Sequence, residues 1–234
     1  MKAMILCAGY GKRLHPLTLS TPKPLLKIGN ETLLSNTLKF LEKFRIKKVI
    51  INVHYLSDQI FTYIKKNKFN MDIEVVYEEK EILDTGCGVL NAIQHFSNEA
   101  FIIINPDTIW NFNYLKELAN LIEIFTSSEN CNCSMLLVNK KKSFDKSFKG
   151  DFNLKNNLID RNNKENLNYI YTGLQIVKPA IFLNSKNRVF SINKIWDKLI
   201  TQKQLYGIES NNDFLHISKL EIYENILKNK LNIK

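Results

Sequence analysis

Residues 2–24 read KAMILCAGYGKRLHPLTLSTPKP, an apolar run that leads into a long irregular loop. The run KAMILC (2–7) has the composition of a buried strand. The loop after it contains two glycines and three prolines, and its basic side chains are Lys12, Arg13, His15 and Lys23. A turn needs Gly and Pro but no cations. The loop is therefore predicted to receive a negatively charged ligand.

Apolar runs alternate with amphipathic stretches through the first half of the chain. The patterns predict strands at 2–7, 47–53, 72–78 and 100–105, and helices at 32–44, 58–67 and 88–96. Strands that are apolar throughout, separated by helices, are typical of a parallel sheet covered on both faces.

The second half is less regular. Helices are predicted at 113–127, 192–203 and 219–231, and strands at 133–139 and 168–178, with a final strand pair at 205–210 and 213–218. A polar stretch at 140–168 contains hairpin-like pieces. The predicted fold class is α/β: a Rossmann-like, mixed and mostly parallel central sheet flanked by helices, with a small antiparallel flap. One domain spanning 1–234 accommodates the whole pattern.

Composition narrows the class of protein. At 44% apolar and 24% charged residues the chain is of ordinary globular composition, and no apolar run approaches the roughly 20 residues of a membrane span. The first strand begins at once, which leaves no room for a signal peptide, so a cytoplasmic protein with no membrane partner is expected. The net charge of +10 is spread along the chain. Because the sequence shows no nucleic-acid-binding motif, this positive charge favours a polyphosphate substrate over nucleic acid.

In open parallel sheets, ligands bind beyond the carboxyl ends of the strands. The basic loop, the glycine-rich segment DTGCG (84–88) and the segment NPDT (105–108) all follow predicted strands. Gly9 and Gly11 allow backbone amides to approach phosphates, and Arg13 can donate to two phosphate oxygens. A Rossmann fingerprint would need glycine at Leu14, and a Walker loop would need Ser or Thr at Arg13, so neither common nucleotide motif is present.

Two stretches of the loop, LCAGYGKRLHPLT (6–18) and TPKPLLKIG (21–29), resemble the signature of the sugar-1-phosphate nucleotidyltransferases. Four further stretches are most similar to the N-acetylmuramate-1-phosphate uridylyltransferases and the mannose-1-phosphate guanylyltransferases: ILDTGCGV (82–89), NPDTIW (105–110), KGDFNL (149–154) and YTGLQIVKPAIF (171–182). The resemblance implies an enzyme that joins an NTP, UTP or GTP, to a sugar 1-phosphate. Uridylyl transfer to N-acetylmuramate 1-phosphate would belong to cell-wall recycling.

The resemblance also implies roles for individual residues. A nucleotide-binding part, about 1–110, would contribute Ala8, Gly9, Gly11, Lys12, Arg13 and Gly86. A sugar-phosphate-binding part, about 111–234, would contribute Gly150, Asp151, Thr172 and Gly173, together with Lys23 from the first loop. The catalytic set would be Arg13, Lys23 and Asp107, with Asp107 binding Mg²⁺, a metal that prefers oxygen ligands.

The sequence departs from the family pattern at two positions. Pro106 precedes the metal residue Asp107, where the family has glycine. The late Trp-x-Asp-x-Gly-Thr segment, which supplies a second metal carboxylate, is matched by residues 214–219, so the ligand position holds His216. Imidazole suits Mn²⁺ or Zn²⁺ better than Mg²⁺. Three readings stay open: a metal site altered by His216, a ligand supplied by Asp213 instead, or a degenerate, non-catalytic binding protein.

Overall fold

The computed structural model describes residues 1–78, 83–162, 166–183 and 189–229. The strands are β1 (Lys2–Leu6), β2 (Lys27–Ile28), β3 (Glu31–Thr32), β4 (Lys48–Val53), β5 (Asp72–Tyr77), β6 (Phe101–Ile104), β7 (Cys133–Asn139), β8 (Asn153–Lys155), β9 (Leu158–Asp160), β10 (Tyr169–Val177) and β11 (Leu205–Ser210). The α-helices are α1 (Leu33–Lys43), α2 (Ser57–Lys66), α3 (Asp84–Ala92), α4 (Tyr114–Ser127), α5 (Ala180–Leu183), α6 (Asn193–Thr201) and α7 (Leu220–Lys228).

Within these ranges, nine strands form one sheet in the order β5-β4-β1-β6-β10-β7-β11-β9-β8. The four strands from β5 to β6 are mutually parallel. Strand β10 is antiparallel to both of its neighbours, and β11 is parallel to β7. The β8–β9 hairpin joins the edge of this sheet through β11. The mixed, mostly parallel sheet with a small antiparallel flap is therefore confirmed.

Alternate side chains of the buried strands pack on opposite faces of the sheet. Ala3 and Ile5 belong to the core cluster that contains residues of α1, α2 and α4. Met4, between them, belongs to the cluster that contains residues of α3, α5 and α6. Helices thus cover both faces, which is why β1 and β6 are apolar at every central position. None of the described helices combines the length and the apolar character needed to cross a membrane.

The glycine-rich segment 84–88, most of which precedes the helix predicted at 88–96, is the first turn of α3. The amides of Gly86 and Cys87 donate hydrogen bonds of 3.0 and 3.2 Å to the carbonyl of Phe190. A Cβ atom on Gly86 would overlap the Phe190 ring. Glycine is therefore needed here for the close approach of a distant segment and not for a flexible loop.

The predicted strand at 213–218 is also wrong. Strand β11 pairs with β7 and β9, whereas residues 213–218 make only isolated bridges, from Phe214 to Ser143 and from His216 to Thr108. The buried apolar residues of this segment, Phe214 and Ile217, are three positions apart and pack in different clusters. That spacing does not match the two-residue repeat of a strand.

Candidate functional site

The carboxyl ends of β1 and β6 open into a cavity of about 630 Å³. Its walls are formed by the first loop, the start of α3 and the turn that follows β6. The residues predicted from the sequence that line it are Ala8, Gly9, Gly11, Lys12, Arg13, Lys23 and Asp107. The structure thus brings three predicted cations and the predicted metal carboxylate to one cavity, and their roles stay predictions.

The first loop is held in place by packing and hydrogen bonds. Leu14 is buried in a cluster with Ile109 and Ile217, beneath α7. The Thr18 hydroxyl donates to the carbonyl of Gly11 at 2.9 Å, where the glycine has a φ of +66° that disfavours other residues. The Tyr55 hydroxyl donates to the Thr18 carbonyl at 3.0 Å. The loop is therefore a fixed rim that presents Lys12 and Arg13.

Asp107, in the wall of the cavity, contacts two basic side chains. Its Oδ2 atom accepts a hydrogen bond of 2.5 Å from Lys23 Nζ and lies 3.2 Å from His216 Nε2. Burial raises the pKa of Asp107, but the charges and hydrogen bonds of Lys23 and His216 outweigh it and hold the pKa far below its usual value. The carboxylate is therefore ionised and paired.

The side chains around Asp107 supply only some of the ligands that a divalent cation needs. Asp107 Oδ1 is buried and has no hydrogen-bond partner among the described residues, so one oxygen is available. No group of three or more His, Cys, Asp and Glu side chains within the described ranges could hold a metal. Mg²⁺ often binds through one or two carboxylates plus substrate phosphates and water. Asp107 Oδ1 fits one ligand position of such a site.

The two alternatives for a second ligand lie in different places. His216 is largely buried, and its Nε2 atom faces Asp107. Asp213 is exposed to solvent and is not part of the cavity lining. The structure thus brings His216, and not Asp213, to the predicted metal residue.

The turn that carries Asp107 is fixed by its neighbours. The amide of Asn105 donates to the Gly173 carbonyl at 2.8 Å, and the amide of Ile217 donates to the Asp107 carbonyl at 2.8 Å. Gly173 has a φ of +93°, and a Cβ atom there would lie 2.8 Å from Asn105 Cβ. Thr172 is buried, and its hydroxyl donates to the Leu136 carbonyl at 2.8 Å. Thr172 and Gly173 therefore contact the turn and the sheet.

Gly86 lies outside the cavity lining, although its neighbours Asp84 and Thr85 form part of it. Its amide donates a hydrogen bond to the Phe190 carbonyl, so a nucleotide that contacted Gly86 would have to displace that segment. The contact of Gly86 with the nucleotide stays a prediction, and Thr85 is the residue of this turn that the structure places at the wall.

A second cavity, of about 820 Å³, contains the other predicted sugar-side residues, Gly150 and Asp151. Asp151 Oδ2 accepts the amide of Tyr171 at 2.9 Å. Tyr171 also lines this cavity; burial, then Cys133 and Asp107, raise the pKa of its phenol well above the usual value. The hydroxyl of Thr108, which follows Asp107, donates to the carbonyl of Thr172, which follows Tyr171, at 2.6 Å, so the linings of the two cavities are linked.

Several lining residues were not predicted from the sequence. Asn52 and Ser218 line the first cavity, and Arg161 lines the second. Arg161 is held by an ion pair with Asp197 and by a 2.9 Å hydrogen bond to Asn193 Oδ1. Two features of the sequence could have indicated these residues. Asn52 is polar within the apolar run of β4, and Asp160 and Arg161 are adjacent charged residues at the end of β9.

Comparison with known proteins identifies the family of this chain. The model of the nucleotidyl transferase family matches residues 2–144. Relatives include "Bifunctional protein GlmU" of Methanococcus maripaludis, 30% identical over 92% of this chain and 52% of its own length. The N-acetylmuramate alpha-1-phosphate uridylyltransferase of Caulobacter vibrioides is 24% identical over 92% of this chain and 90% of its own length.

A third relative is the mannose-1-phosphate guanylyltransferase catalytic subunit beta of Drosophila melanogaster, 26% identical over 93% of this chain and 59% of its own length. The chain thus spans about half the length of the GlmU proteins it matches. The solved structure of the inositol-1-phosphate CTP transferase from T. maritima superposes with a TM-score of 0.74 over 100% of this chain and 97% of that chain. At 17% identity, this likeness concerns the fold alone.

The family match covers more than half of the chain and includes both the basic loop and the turn of Asp107. The resemblance to the sugar-1-phosphate nucleotidyltransferases is thereby confirmed, and the chain belongs to the nucleotidyl transferase family.

Proposed function

We propose that the chain transfers a nucleotidyl group from an NTP to a sugar 1-phosphate and releases pyrophosphate. The observation that carries the proposal is the convergence of Arg13, Lys23 and Asp107 on one cavity at the carboxyl edge of the sheet. The family membership supports the same reaction class. The whole protein's activity and substrates are part of the proposal.

In this reaction an oxygen of the sugar phosphate attacks the α-phosphorus of the NTP. The bond from the α-phosphorus to the oxygen that bridges to the β-phosphorus breaks, and pyrophosphate leaves with the electron pair. The attacking group is already anionic, so no side-chain nucleophile is required, and catalysis depends on positioning and charge neutralisation. The fixed cations of the cavity supply both.

Five residues of the cavity have a part in this scheme. The backbone at Gly9 and Gly11 leaves room for phosphates to lie against it, and Arg13 donates to two phosphate oxygens. Lys23 neutralises the phosphates where the new bond forms. Asp107 would hold a divalent cation through Oδ1. When bound, such a cation neutralises charge on the triphosphate and orients it.

The second cavity is proposed to hold the sugar 1-phosphate. Asp151 offers a carboxylate for a sugar hydroxyl, and Arg161 offers a guanidinium beside it. Thr172 and Gly173 act indirectly, because they contact the turn of Asp107. The nucleotide would therefore bind mainly to residues of 1–110, and the sugar phosphate mainly to residues of 111–234.

UTP and N-acetylmuramate 1-phosphate are the proposed substrate pair. The relative of that name in Caulobacter vibrioides is matched over 90% of its own length, whereas the guanylyltransferase of Drosophila melanogaster is matched over 59%. This activity would act in cell-wall recycling in the cytoplasm. Guanylyl transfer to mannose 1-phosphate is the second candidate. A binding protein without turnover is a third, favoured by His216 at the position of a metal carboxylate.

Pyrophosphate release separates these candidates. The full chain is incubated with UTP, GTP, CTP or ATP, each with N-acetylmuramate 1-phosphate or mannose 1-phosphate, and with Mg²⁺ or Mn²⁺. Release with UTP and the muramate is expected, and Asp107→Asn is expected to lower the rate by about 10²–10³. Lys39→Ala, which removes an exposed ion pair with Glu31, is the matched control and should not change it. Nucleotide binding without release under either metal would contradict transfer.

A further inference from the structure

One short segment of the chain belongs to the walls of both cavities. Residues 189–193, the bridging segment, lead into α6, which begins at Asn193. Val189 lines the first cavity, whereas Asn193 and two further residues of α6, Trp196 and Asp197, line the second. A change in the position of this segment therefore alters the shape of both cavities.

The bridging segment is docked on the first turn of α3. The Phe190 carbonyl accepts the amides of Gly86 and Cys87 at 3.0 and 3.2 Å. The Phe190 ring is buried and lies so close to Gly86 that a Cβ atom there would overlap it. The amide of Ile192 donates to Thr85 Oγ1 at 3.2 Å. Hydrogen bonds and packing thus tie the segment to a turn that forms part of the first cavity.

Thr85 is the point at which the first cavity meets the bridging segment. Its hydroxyl accepts the Ile192 amide and donates to Asp84 Oδ1 at 3.2 Å, so both partners orient it. Thr85 and Asp84 line the first cavity. A nucleotide that contacts either residue therefore acts on the hydrogen bond to Ile192.

The same segment is packed together with α6. Ile192, Ile195 and Trp196 are buried in one apolar cluster with Cys87 and Val89 of α3. Backbone hydrogen bonds join successive turns of a helix, so the first turn of α6 follows the segment that leads into it. Packed side chains and hydrogen bonds of this kind carry energetic coupling between sites. The contacts with α3 therefore fix the position of one wall of the second cavity.

We infer that the bridging segment couples the two cavities, so that a nucleotide in the first raises the affinity of the second for a sugar 1-phosphate. A nucleotide against Thr85 and Val189 fixes the segment, and the sugar phosphate then meets a wall that is already in place. Thr85 and Phe190 are the positioning residues of this coupling. By linkage, the sugar phosphate raises the affinity for the nucleotide by the same factor. This inference rests on the proposed function, which assigns one ligand to each cavity.

Calorimetric titration with the α,β-methylene analogue of UTP measures the coupling without turnover, because a P–C bond replaces the bond that the transfer breaks. The Kd of the analogue is measured alone and with saturating N-acetylmuramate 1-phosphate or mannose 1-phosphate, and the GTP analogue is tested in parallel. The wild-type chain should bind the analogue about tenfold more tightly when the sugar phosphate is present, and the reverse titration should give the same factor. Equal Kd values with and without the second ligand would overturn the inference.

Two variants separate coupling through the segment from direct contact between the ligands. Thr85→Val keeps the shape of the side chain but cannot accept the Ile192 amide, and Phe190→Leu stays apolar but loses the ring that lies against α3. Each should reduce the coupling factor to about two or less, and a variant that merely weakens one ligand leaves this ratio unchanged. Thr126→Val, which removes an exposed hydroxyl of α4, should keep the wild-type factor. A wild-type factor in both Thr85→Val and Phe190→Leu would assign the coupling to direct contact and remove the role of the segment.

Trp196 reports on the second cavity without any sugar phosphate. The nucleotide analogue alone should change the fluorescence emission of Trp196, measured as the difference between wild type and Trp196→Phe. The change should be smaller when Phe190→Leu is present in both proteins. Binding of the analogue with no change in Trp196 emission would overturn the coupling and leave the proposed transfer intact, whereas failure to bind any nucleotide would overturn both.

Discussion

The side-chain amide of Asn52 donates a 2.7 Å hydrogen bond to Oε1 of Glu78 in the wall of the first cavity. Asn52 Oδ1 accepts the amide of Cys7 at 3.1 Å, and Glu78 Oε2 accepts the amide of Leu83 at 2.9 Å. One buried amide and one buried carboxylate thus connect the ends of β1, β4 and β5 to the residue before α3. These are the segments that surround the proposed nucleotide site.

Glu78→Gln should loosen this connection. Gln replaces one of the two carboxylate oxygens with an NH₂ group. This group would face a hydrogen-bond donor, either the side-chain amide of Asn52 or the backbone amide of Leu83. Leaving a buried donor unsatisfied costs about 1–3 kcal/mol. Urea unfolding should show that loss, and a nucleotide titration should show weaker binding.

Glu74→Gln is the matched control for this variant. Glu74 lies in the same strand region, but its side chain is partly exposed and pairs with Lys48 and His95 at the surface. Its substitution should change stability by no more than about 0.5 kcal/mol. Equal losses in the two variants would show that the buried network has no special part in the wall of the cavity.

Gly9→Ala tests whether the ligand lies over the first loop. A Cβ atom at Gly9 would have no protein atom within 4 Å, so the folded chain accepts a methyl group there. Stability should therefore stay within about 0.5 kcal/mol of the wild type. Nucleotide affinity should fall about tenfold or more, because the methyl group occupies the space proposed for phosphates. Unchanged affinity at unchanged stability would place the triphosphate elsewhere.

Gly11→Ala and Gly29→Ala separate backbone strain from its effect on the site. Gly11 and Gly29 have φ values of +66° and +61°, so each substitution should cost about 1–2 kcal/mol of strain. A Cβ at Gly29 meets nothing within 4 Å, whereas one at Gly11 would lie 3.0 Å from Thr18 Cγ2 and 3.2 Å from Lys23 Cβ. Gly11→Ala should therefore unfold at lower temperature than Gly29→Ala and alone should impair pyrophosphate release.

The parallel half of the fold could be predicted from the sequence because its determinants are local. Strands β1 and β6 are apolar runs, β4 and β5 are apolar runs interrupted by Asn52 and Glu74, and helical periodicity separates the four. The rule that corners of such a sheet share one edge then placed the basic loop beside Asp107.

The remaining features depend on contacts between segments that are distant in sequence. Gly86 lies in the first turn of α3 with Phe190 packed against it, and no pattern near Gly86 encodes that contact. Arg161 reaches the second cavity through partners on α6, 32 and 36 residues away. Asn52 and Glu78 look like ordinary strand-end residues until the strands are placed side by side.

Arg161→Ala tests the assignment of the second cavity to the sugar phosphate. Loss of the guanidinium should raise the KM for the sugar 1-phosphate about tenfold or more. The KM for the NTP should not change, because Arg161 lines the second cavity and not the first. Steady-state kinetics with each substrate varied in turn measure the split. Lys155→Ala, an exposed cation on the same hairpin, should change neither constant. A rise in the KM for the NTP alone would reverse the assignment of the cavities.

Asp145→Asn should remove a pH-dependent contribution that the Asp145 carboxylate makes to folding stability. The buried carboxylate accepts hydrogen bonds from Ser147 N–H and Oγ at 2.9 and 2.6 Å, and from the hydroxyl of Ser218, which lines the first cavity, at 2.6 Å. Burial raises the pKa of Asp145, but these hydrogen bonds outweigh it and lower the pKa below its usual value.

A carboxylate whose pKa is lower in the folded than in the unfolded chain stabilises the fold above the unfolded pKa of about 3.9, and this stabilisation is lost as pH falls towards the folded pKa. Wild type should therefore exceed Asp145→Asn by about 1–3 kcal/mol near pH 7, and the gap should narrow below about pH 4. Urea unfolding from pH 7 to pH 3 measures the gap. Asp213→Asn, at an exposed carboxylate, should track the wild type, and a gap for Asp145→Asn that widened with acid would contradict the hydrogen-bonded anion.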